Sequence, residues 1–393
     1  MVHCVGLSSA AGGHRHPLNR GRSNAHRLKN SIVIGVPVSA DAGRVQRRGL
    51  RASQATSSSS ATRGEDDDAP IDFLTRMSSF LAEDLEHLFD ERGIDKSVYA
   101  ADVNFEDPIT KYDSINGYLA NIQMLRYVFS PEFILHQIYA VSETTLETRW
   151  TMNMKFRILP WQPDLTFTGT SQYEFDLQTE KVVRHSDTWD SISDQEYFSV
   201  EGLRDLVRQA TNLAQTPDLE TPKYVTLKRL SRYEIRSYDP YVVCETSTSS
   251  GDVTSGNGFN ELAGFIFGGN DRKETMSMTT PVYTTSPRGE SGQAKMQFVI
   301  EGSKYKTAGE VPGVSSSSVE VSQTAAGICA AAAVPGLPSE SDVREAEDRL
   351  RRELASEGIE CEDGYELARY NEPFVLPPFR RNEVLIRLKN FQL

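Results

Sequence analysis

YEIRSYDPYVVCET, residues 233–246, ends in a strand that the chain writes twice. Tyr241 to Thr246 has the pattern of Ile328 to Ala333, 87 residues on. The alternating strand at Met296, Phe298 and Ile300 returns 88 residues later at Val384, Ile386 and Leu388. Two nearly equal offsets mark an internal repeat. Between the repeated strands, Phe259, Leu262, Ala263 and Ile266 line one face of a short helix. In the second copy Val343, Ala346, Leu350 and Leu354 line a longer one, with Ser339 placed to cap it and Gly358 to stop it. From Tyr224 onward the chain reads as two copies of strand, strand, helix, strand, strand. Two such halves can pair into one curved sheet or barrel with the helices outside.

Working outward, residues 196–222 are expected to form a helix, with Leu203, Leu206, Val207 and Ala210 on one face, and then a Thr/Pro-containing linker, TPDLETPK. A domain boundary belongs there. Before it, Phe73, Met77, Phe80, Leu81, Leu85 and Leu88 recur at helical spacing and predict a helix over 71–91 that Gly93 ends. Ile115, Tyr118, Leu119, Ile122 and Leu125 predict a second over 112–128. The period then changes to two. Phe133 to Val141, Trp150 to Ile158, Phe167 to Leu177 and Val183 to Trp189 give four consecutive strands. Two helices followed by a bent antiparallel sheet make an α+β domain in which the helices close one face of the sheet.

Residues 1–60 carry nine Lys or Arg, one acid (Asp41) and a Ser-rich end, SQATSSSS, without an apolar centre. That is the composition of an organelle transit peptide, and its Ser and Ala content favours the chloroplast; a disordered basic tail is the bland alternative. With this segment's +8 set apart from the chain's −13, the remainder carries −21. Such acidity argues against binding nucleic acid or an anionic membrane surface through bulk electrostatics. No apolar run approaches the roughly 18 residues of a membrane span, so a soluble protein is expected. Cys4, Cys244, Cys329 and Cys361 lie too far apart for a zinc motif and are too few for a disulfide scaffold.

YEIRSYDPYVVCET (233–246), GFNELAGFIFGGN (258–270), KETMSMTTPVY (273–283) and ARYNEPFVLPPFRRNEVLIRL (368–388) together resemble the SOUL heme-binding family over about 223–392. The resemblance implies a distorted β-barrel flanked by two helices, with a shallow apolar pocket for heme or another tetrapyrrole. The region of about 72–195, with VNFEDPI at Val103 to Ile109, resembles the nuclear-transport-factor-two-like cone, in a version found in photosynthetic organisms. The expected fold class is thus α+β: a transit peptide (1–60), a cone-shaped domain with a curved antiparallel sheet (70–195), a helix and linker (196–222), and a SOUL barrel built from an internal repeat (223–393).

A porphyrin is a flat apolar disc with two carboxylates on one edge, so its site needs apolar faces and cations at the rim. Phe265, Phe267, Met276, Met278 and Tyr283 are candidate walls, and Arg272 and Lys273 candidate propionate partners; for each apolar residue, core packing is the alternative. Arg380 and Arg381 are further candidates for rim charge, a solvated loop being the alternative. No histidine follows His185, so coordination of iron by an imidazole of this domain is excluded. Met276, Met278, Cys244 and Tyr283 remain as possible ligands, with Cys244 better read as a small buried hydrophobe. Loose, mainly apolar binding is expected, without turnover.

In the cone, Asp107, His136, His185 and Asp187 are the candidates for acid–base chemistry, with both histidines expected to point inward and structural hydrogen bonding as the alternative. Trp150, Trp161 and Trp189 read as core and rim aromatics. No nucleophile elbow, phosphate loop or metal-ligand cluster stands elsewhere. The leading expectation is a non-catalytic carrier or buffer of tetrapyrroles, with a homodimer through the cone as one option for its assembly. Its rivals are an enzyme of the cone cavity acting on a small apolar substrate, and an interaction protein whose pockets are vestigial.

Overall fold

The computed structural model describes residues 69–248, 258–286, 294–315 and 318–393. The expected transit peptide, residues 1–60, lies outside them. Among the described residues the strands form two sheets, one of six strands and one of nine.

The first sheet belongs to the cone. Its chain order is α1 (Ala69–Leu85), β1 (Tyr99–Glu106), β2 (Lys111–Tyr112), α2 (Ile115–Val128), β3 (Phe129–Ala140), β4 (Thr145–Phe156), β5 (Asp164–Asp176), β6 (Lys181–Trp189) and α3 (Val200–Ala210). The strands lie in the order β2-β1-β6-β5-β4-β3, with β1 parallel to β6 and the other pairs antiparallel. Alternation along the strands sends Leu146, Tyr173 and Val182 to one face, where they bury against Leu81, Leu85 and Tyr118 of the helices, while Leu165 packs with Trp150, Phe167 and Trp189. Ser114 caps α2, its Oγ accepting from Gly117 N at 3.2 Å. The predicted first helix stops earlier than Gly93, at Leu85, and continues as turns. β1 and β2, which periodicity did not single out, complete the sheet. The helix expected within 196–222 is confined to α3, whose N-cap is Ser199. Trp161 Nε1 donates to Ala210 O at 2.8 Å and Gln209 Oε1 accepts from Thr166 N at 2.8 Å, so α3 packs on the cone.

The second sheet contains β7 (Tyr224–Arg229), β8 (Glu234–Tyr238), β9 (Tyr241–Ser247), β10 (Val282–Ser286), β11 (Lys295–Val299), β12 (Glu320–Thr324), β13 (Gly327–Ala333), β14 (Tyr365–Arg369) and β15 (Asn382–Arg387), with α4 (Phe259–Ile266) and α5 (Glu340–Ser356). Its order is β12-β9-β11-β10-β14-β15-β13-β8-β7. β8 runs into β9 through Asp239 and Pro240, and β12 into β13 through Ala325 and Ala326. The pairs Tyr238↔Gly327 and Tyr241↔Thr324 keep one antiparallel register across both bends. The two long bent strands therefore pair along their whole length and join the ends of the sheet, closing a barrel. Each half of the repeat lends its first strand to the other half, an exchange that the repeat alone does not show.

Three cores follow from strand alternation. α4 covers Val242, Cys244, Met296 and Phe298, while α5 covers Ala330, Leu367, Val384 and Ile386. The opposite faces of the same strands meet in the lumen, where Tyr238, Tyr283, Val299, Cys329, Ala368, Tyr370 and Leu385 pack. A capping box starts α5: Ser339 Oγ accepts from Asp342 N, and Asp342 Oδ2 from Ser339 N at 2.8 Å. Such a cap contributes on the order of 1 kcal/mol. No helix among the described residues is long and apolar enough to cross a membrane.

The domains are joined through β7, which lies across the face of β4 and β5 turned away from the cone helices. Thr151 Oγ1 donates to Thr226 O at 2.5 Å, Arg229 N to Thr168 Oγ1 at 2.7 Å, and the Arg149 guanidinium holds both Asp190 and Leu227 O. The part of the sheet face over β4 and β5 is thus occupied by the same chain's barrel.

Candidate functional site

Helix α4 and the turn behind it carry most of the predicted site. Leu262, Phe265 and Ile266 are buried and draw the helix onto β9 and β11. The reversal that follows depends on glycine twice. Gly268 has φ +102°, and a Cβ on Gly269 would stand 2.6 Å from Gly264 O. Asn270 fastens the turn: its Nδ2 donates to Phe265 O at 3.0 Å and Glu274 O at 2.7 Å, and its Oδ1 accepts from Glu274 N at 3.0 Å. The chain then returns beside the helix end, with Phe267 bridged to Thr275 and Met276 N bonded to Ile266 O at 2.8 Å.

This geometry divides the predicted residues among three places. Phe265 and Met276 are core residues under α4, and Tyr283 is a lumen residue, 1% exposed and ringed by Tyr238, Tyr241 and Tyr370. Phe267 and Met278 remain at the surface, 57% and 37% exposed, with the exposed cations Arg272 and Lys273 on the same turn. Arg272 spends one N–H on Glu310 O at 3.2 Å. Four of the seven thus meet solvent. The other three reach a ligand only if the core opens.

The second surface element escaped the sequence reading. Between β14 and β15 the loop of residues 371–381 exposes Phe374 (80%), Leu376 (65%) and Phe379 (38%). Apolar residues separated by prolines have no strand or helix period to reveal their direction; the only signal was that so many stand in one loop. The two surface elements are tied together. Thr280 Oγ1, two residues after Met278, donates to Tyr370 O at 2.7 Å at the root of the loop. Arg380 proves to be a clamp rather than a rim cation: its guanidinium donates to Val375 O and Pro373 O. Arg381 is committed too, to Glu383 at 2.9 Å and to Thr216.

The lumen is closed by its own network. Arg236 meets both oxygens of Glu383 at 2.7 and 2.9 Å, Tyr370 Oη donates to Glu383 at 2.8 Å, and Arg236 and Arg381 lie over the rings of Tyr224 and Tyr370 at 4.6 and 4.1 Å. The two guanidinium groups offset the burial of Glu383 and hold its carboxyl far below the carboxylate range. Burial pushes the Cys244 thiol up to about 12 and the Tyr283 phenol well above its ordinary value, so neither offers an anion to iron at neutral pH. Met278 is the candidate axial ligand whose sulfur side chain reaches the surface. Among the described residues no group of three His, Cys, Asp or Glu could hold a bare metal ion.

In the cone the expectation for His136 fails. Leu135 pairs with Trp150 and Gln137 with Arg149, so His136 is the extra residue of a β-bulge. The bulge shifts the alternation and turns His136 to the barrel side, where Nε2 lies 2.8 Å from Thr151 Oγ1. Burial and Arg149 lower its pKa to about 4. Asp107 holds a turn, accepting from Ile109 N (2.7 Å), Thr110 N (2.6 Å) and Thr110 Oγ1 (2.6 Å); burial raises its pKa to about 6. His185 does face inward, stacked on Tyr173 at 4.2 Å and edge-on to Phe105 and Tyr118. Its Nε2 is 2.9 Å from Asp187 Oδ1, but out of hydrogen-bonding direction, and both ring nitrogens are left without a partner. The buried Tyr99 Oη, Asp84 Oδ2 and Asn121 Oδ1 are likewise unpaired. Asp187 is steered by Ser171 Oγ at 2.6 Å, which in turn accepts from Trp150 Nε1 at 2.7 Å.

Residues 219–387, which hold the barrel, match the family model of the SOUL heme-binding protein. Residues 75–185 match an uncharacterized conserved protein family, DUF2358. Against curated proteins the chain finds no match. Among solved structures it is similar to the EcmrR C-terminal domain (11% identity, 41% of this chain, 98% of that one, TM-score 0.30). It is also similar to an NTF2-like protein of unknown function from Exiguobacterium sp. 255-15 (17%, 31%, 99%, 0.23). A third is a putative polyketide cyclase from Xanthomonas campestris pv. campestris (12%, 35%, 98%, 0.27). Likenesses at these scores bear on neither activity nor ligand.

Proposed function

We propose that this chain binds heme or a related tetrapyrrole reversibly and without turnover, as a carrier or buffer in the chloroplast. The observation that carries the reading is the exposed apolar surface of the SOUL domain: Phe267 and Met278 on one segment, Phe374 and Leu376 on a loop tied to it at Thr280, with Arg272 and Lys273 for the propionates. Burying one such large apolar side chain against a ring contributes about 1.5–3 kcal/mol. The residues fit the group: apolar faces, rim cations and one thioether. A bound heme would add its iron, which Met278 could reach as a weak axial ligand. The plastid address rests on residues 1–60 alone.

The test is an absorbance titration of hemin and protoporphyrin IX into the full chain and its F374A and M278A variants. Saturable binding of both rings, weakened several-fold by F374A, is expected, with M278A altering the hemin spectrum but not the affinity for the metal-free ring. Equal affinity in all three proteins would remove the site from this surface. A second reading, acid–base turnover inside the cone, is supported by the unpaired nitrogens of His185 beside Asp187. It requires that His185→Gln abolish a conversion while leaving tetrapyrrole binding unchanged.

A further inference from the structure

Between the cone and the barrel lies a cleft of 1330 Å³. Small-molecule sites run to about 300–1,000 Å³ and favour domain interfaces, so the space suffices for a sizeable ring. The cleft draws on both domains: Lys155, Trp161 and Arg208 from the cone side, Arg229, Arg232 and Pro377 from the barrel side.

Its charge is opposite to that of the molecule. Along the lining, cations outnumber carboxylates seven to four, whereas the chain beyond residue 60 carries −21. Several of these cations are fully used: Arg236 and Arg381 by Glu383, and Arg229 by Asp205 at 2.8 Å. Arg208 and Arg232 are different. Their side chains are 50% and 67% exposed. Arg208 donates to Asp205 at 2.6 Å and Arg232 to Glu353 at 3.0 Å, one N–H each. Asp205 also holds Arg229, and the further carboxylates, Glu234 at 3.8 Å from Arg229 and Glu383, are shared with Arg236 and Arg381, so four guanidinium groups meet three carboxylates here. A guanidinium has five N–H groups in a planar fork suited to carboxylate. Flat apolar groups lie on the same lining, the partly buried Trp161 and the exposed Pro335, Pro377 and Pro378.

We propose that this cleft is a second binding site, for a flat aromatic anion whose acid groups meet Arg208 and Arg232 and whose ring packs on Trp161 and the prolines. It shares Pro377 and Pro378 with the loop of residues 371–381 but uses neither Phe374 nor Met278, and it stands whether or not the heme surface is occupied. Titration of the full chain with the planar sulfonate dye 8-anilinonaphthalene-1-sulfonate tests it. Saturable one-site binding is expected, with energy transfer from tryptophan that W161F reduces, and a dissociation constant that rises with salt. R208Q with R232Q should weaken binding about tenfold or more, whereas F374A and M278A leave it unchanged; both arginines are exposed, so the variant folds as the parent does by circular dichroism. Displacement of the dye by protoporphyrin IX identifies the occupant as a tetrapyrrole, and a bound dye that protoporphyrin cannot displace identifies a smaller aromatic anion. Dye binding that ignores the arginine changes, or is lost only in F374A, overturns the assignment.

Discussion

Both domains bury tyrosines and charges in their centres, but they treat them oppositely. In the barrel lumen Glu383 is met by Arg236, Arg381 and Tyr370, so its carboxylate is matched by two guanidinium groups and a hydroxyl. In the cone, Tyr99 Oη, both nitrogens of His185, Asn121 Oδ1 and Asp84 Oδ2 are buried without a hydrogen bond, although Asp187 lies beside His185 Nε2. A completed network of this kind stiffens a core and leaves little for a ligand to satisfy. Orphaned donors and acceptors cost about 1–3 kcal/mol each and mark a place where something polar can still be received. The polar groups of the lumen are committed to one another, and those of the cone interior are not.

That contrast can be broken by mutation. The largest effect is expected at Glu383→Ala, which leaves the buried Arg236 with Glu234 alone and takes from Arg381 its carboxylate, and should cost about 3–5 kcal/mol, read as a fall in the urea midpoint. Tyr370→Phe removes one hydrogen bond to a charged group and should cost about 1.5–3 kcal/mol in the same assay. The cone counterpart, Tyr99→Phe, removes a hydroxyl with no partner and should change stability by less than about 0.5 kcal/mol, or raise it. A loss as large as that of Tyr370→Phe would mean that Tyr99 has a partner after all and would erase the difference between the two centres.

Between these lies a pH effect at the junction of the domains. His136 has its pKa lowered from 6.5 to about 4, chiefly by burial. The unfolded chain therefore takes up a proton in that window which the folded chain refuses, and stability falls as pH drops from 6.5 towards 4. His136→Gln should flatten this part of the melting temperature against pH. An unchanged profile would show that His136 is charged in the native state.

How much of this was legible in the sequence varies with the range of the interaction. The helical faces at Val343, Ala346, Leu350 and Leu354, and the cap at Ser339, were read correctly because a helix repeats its environment every 3.6 residues. His136 was misread because a single inserted residue reverses every later side chain, and nothing local announces a bulge. Phe265, Met276 and Tyr283 were grouped with Phe267 and Met278 because they are neighbours in the chain. Their separation into the α4 core, the lumen and the surface depends on which strand face meets which helix. Phe374 was passed over because a proline-broken loop has no period.

The sequence by itself determined the α+β class, the internal repeat, the likeness of residues 219–387 to the SOUL family and the absence of an imidazole after His185. These are properties of pattern and composition, which survive without coordinates. Only the tertiary structure decided that the halves exchange their first strands, that β7 occupies the cone's outer face, and that cations of both domains gather around one cleft. Each of those depends on contacts between residues scores of positions apart, whose pairing is chosen by packing and by the matching of buried charge.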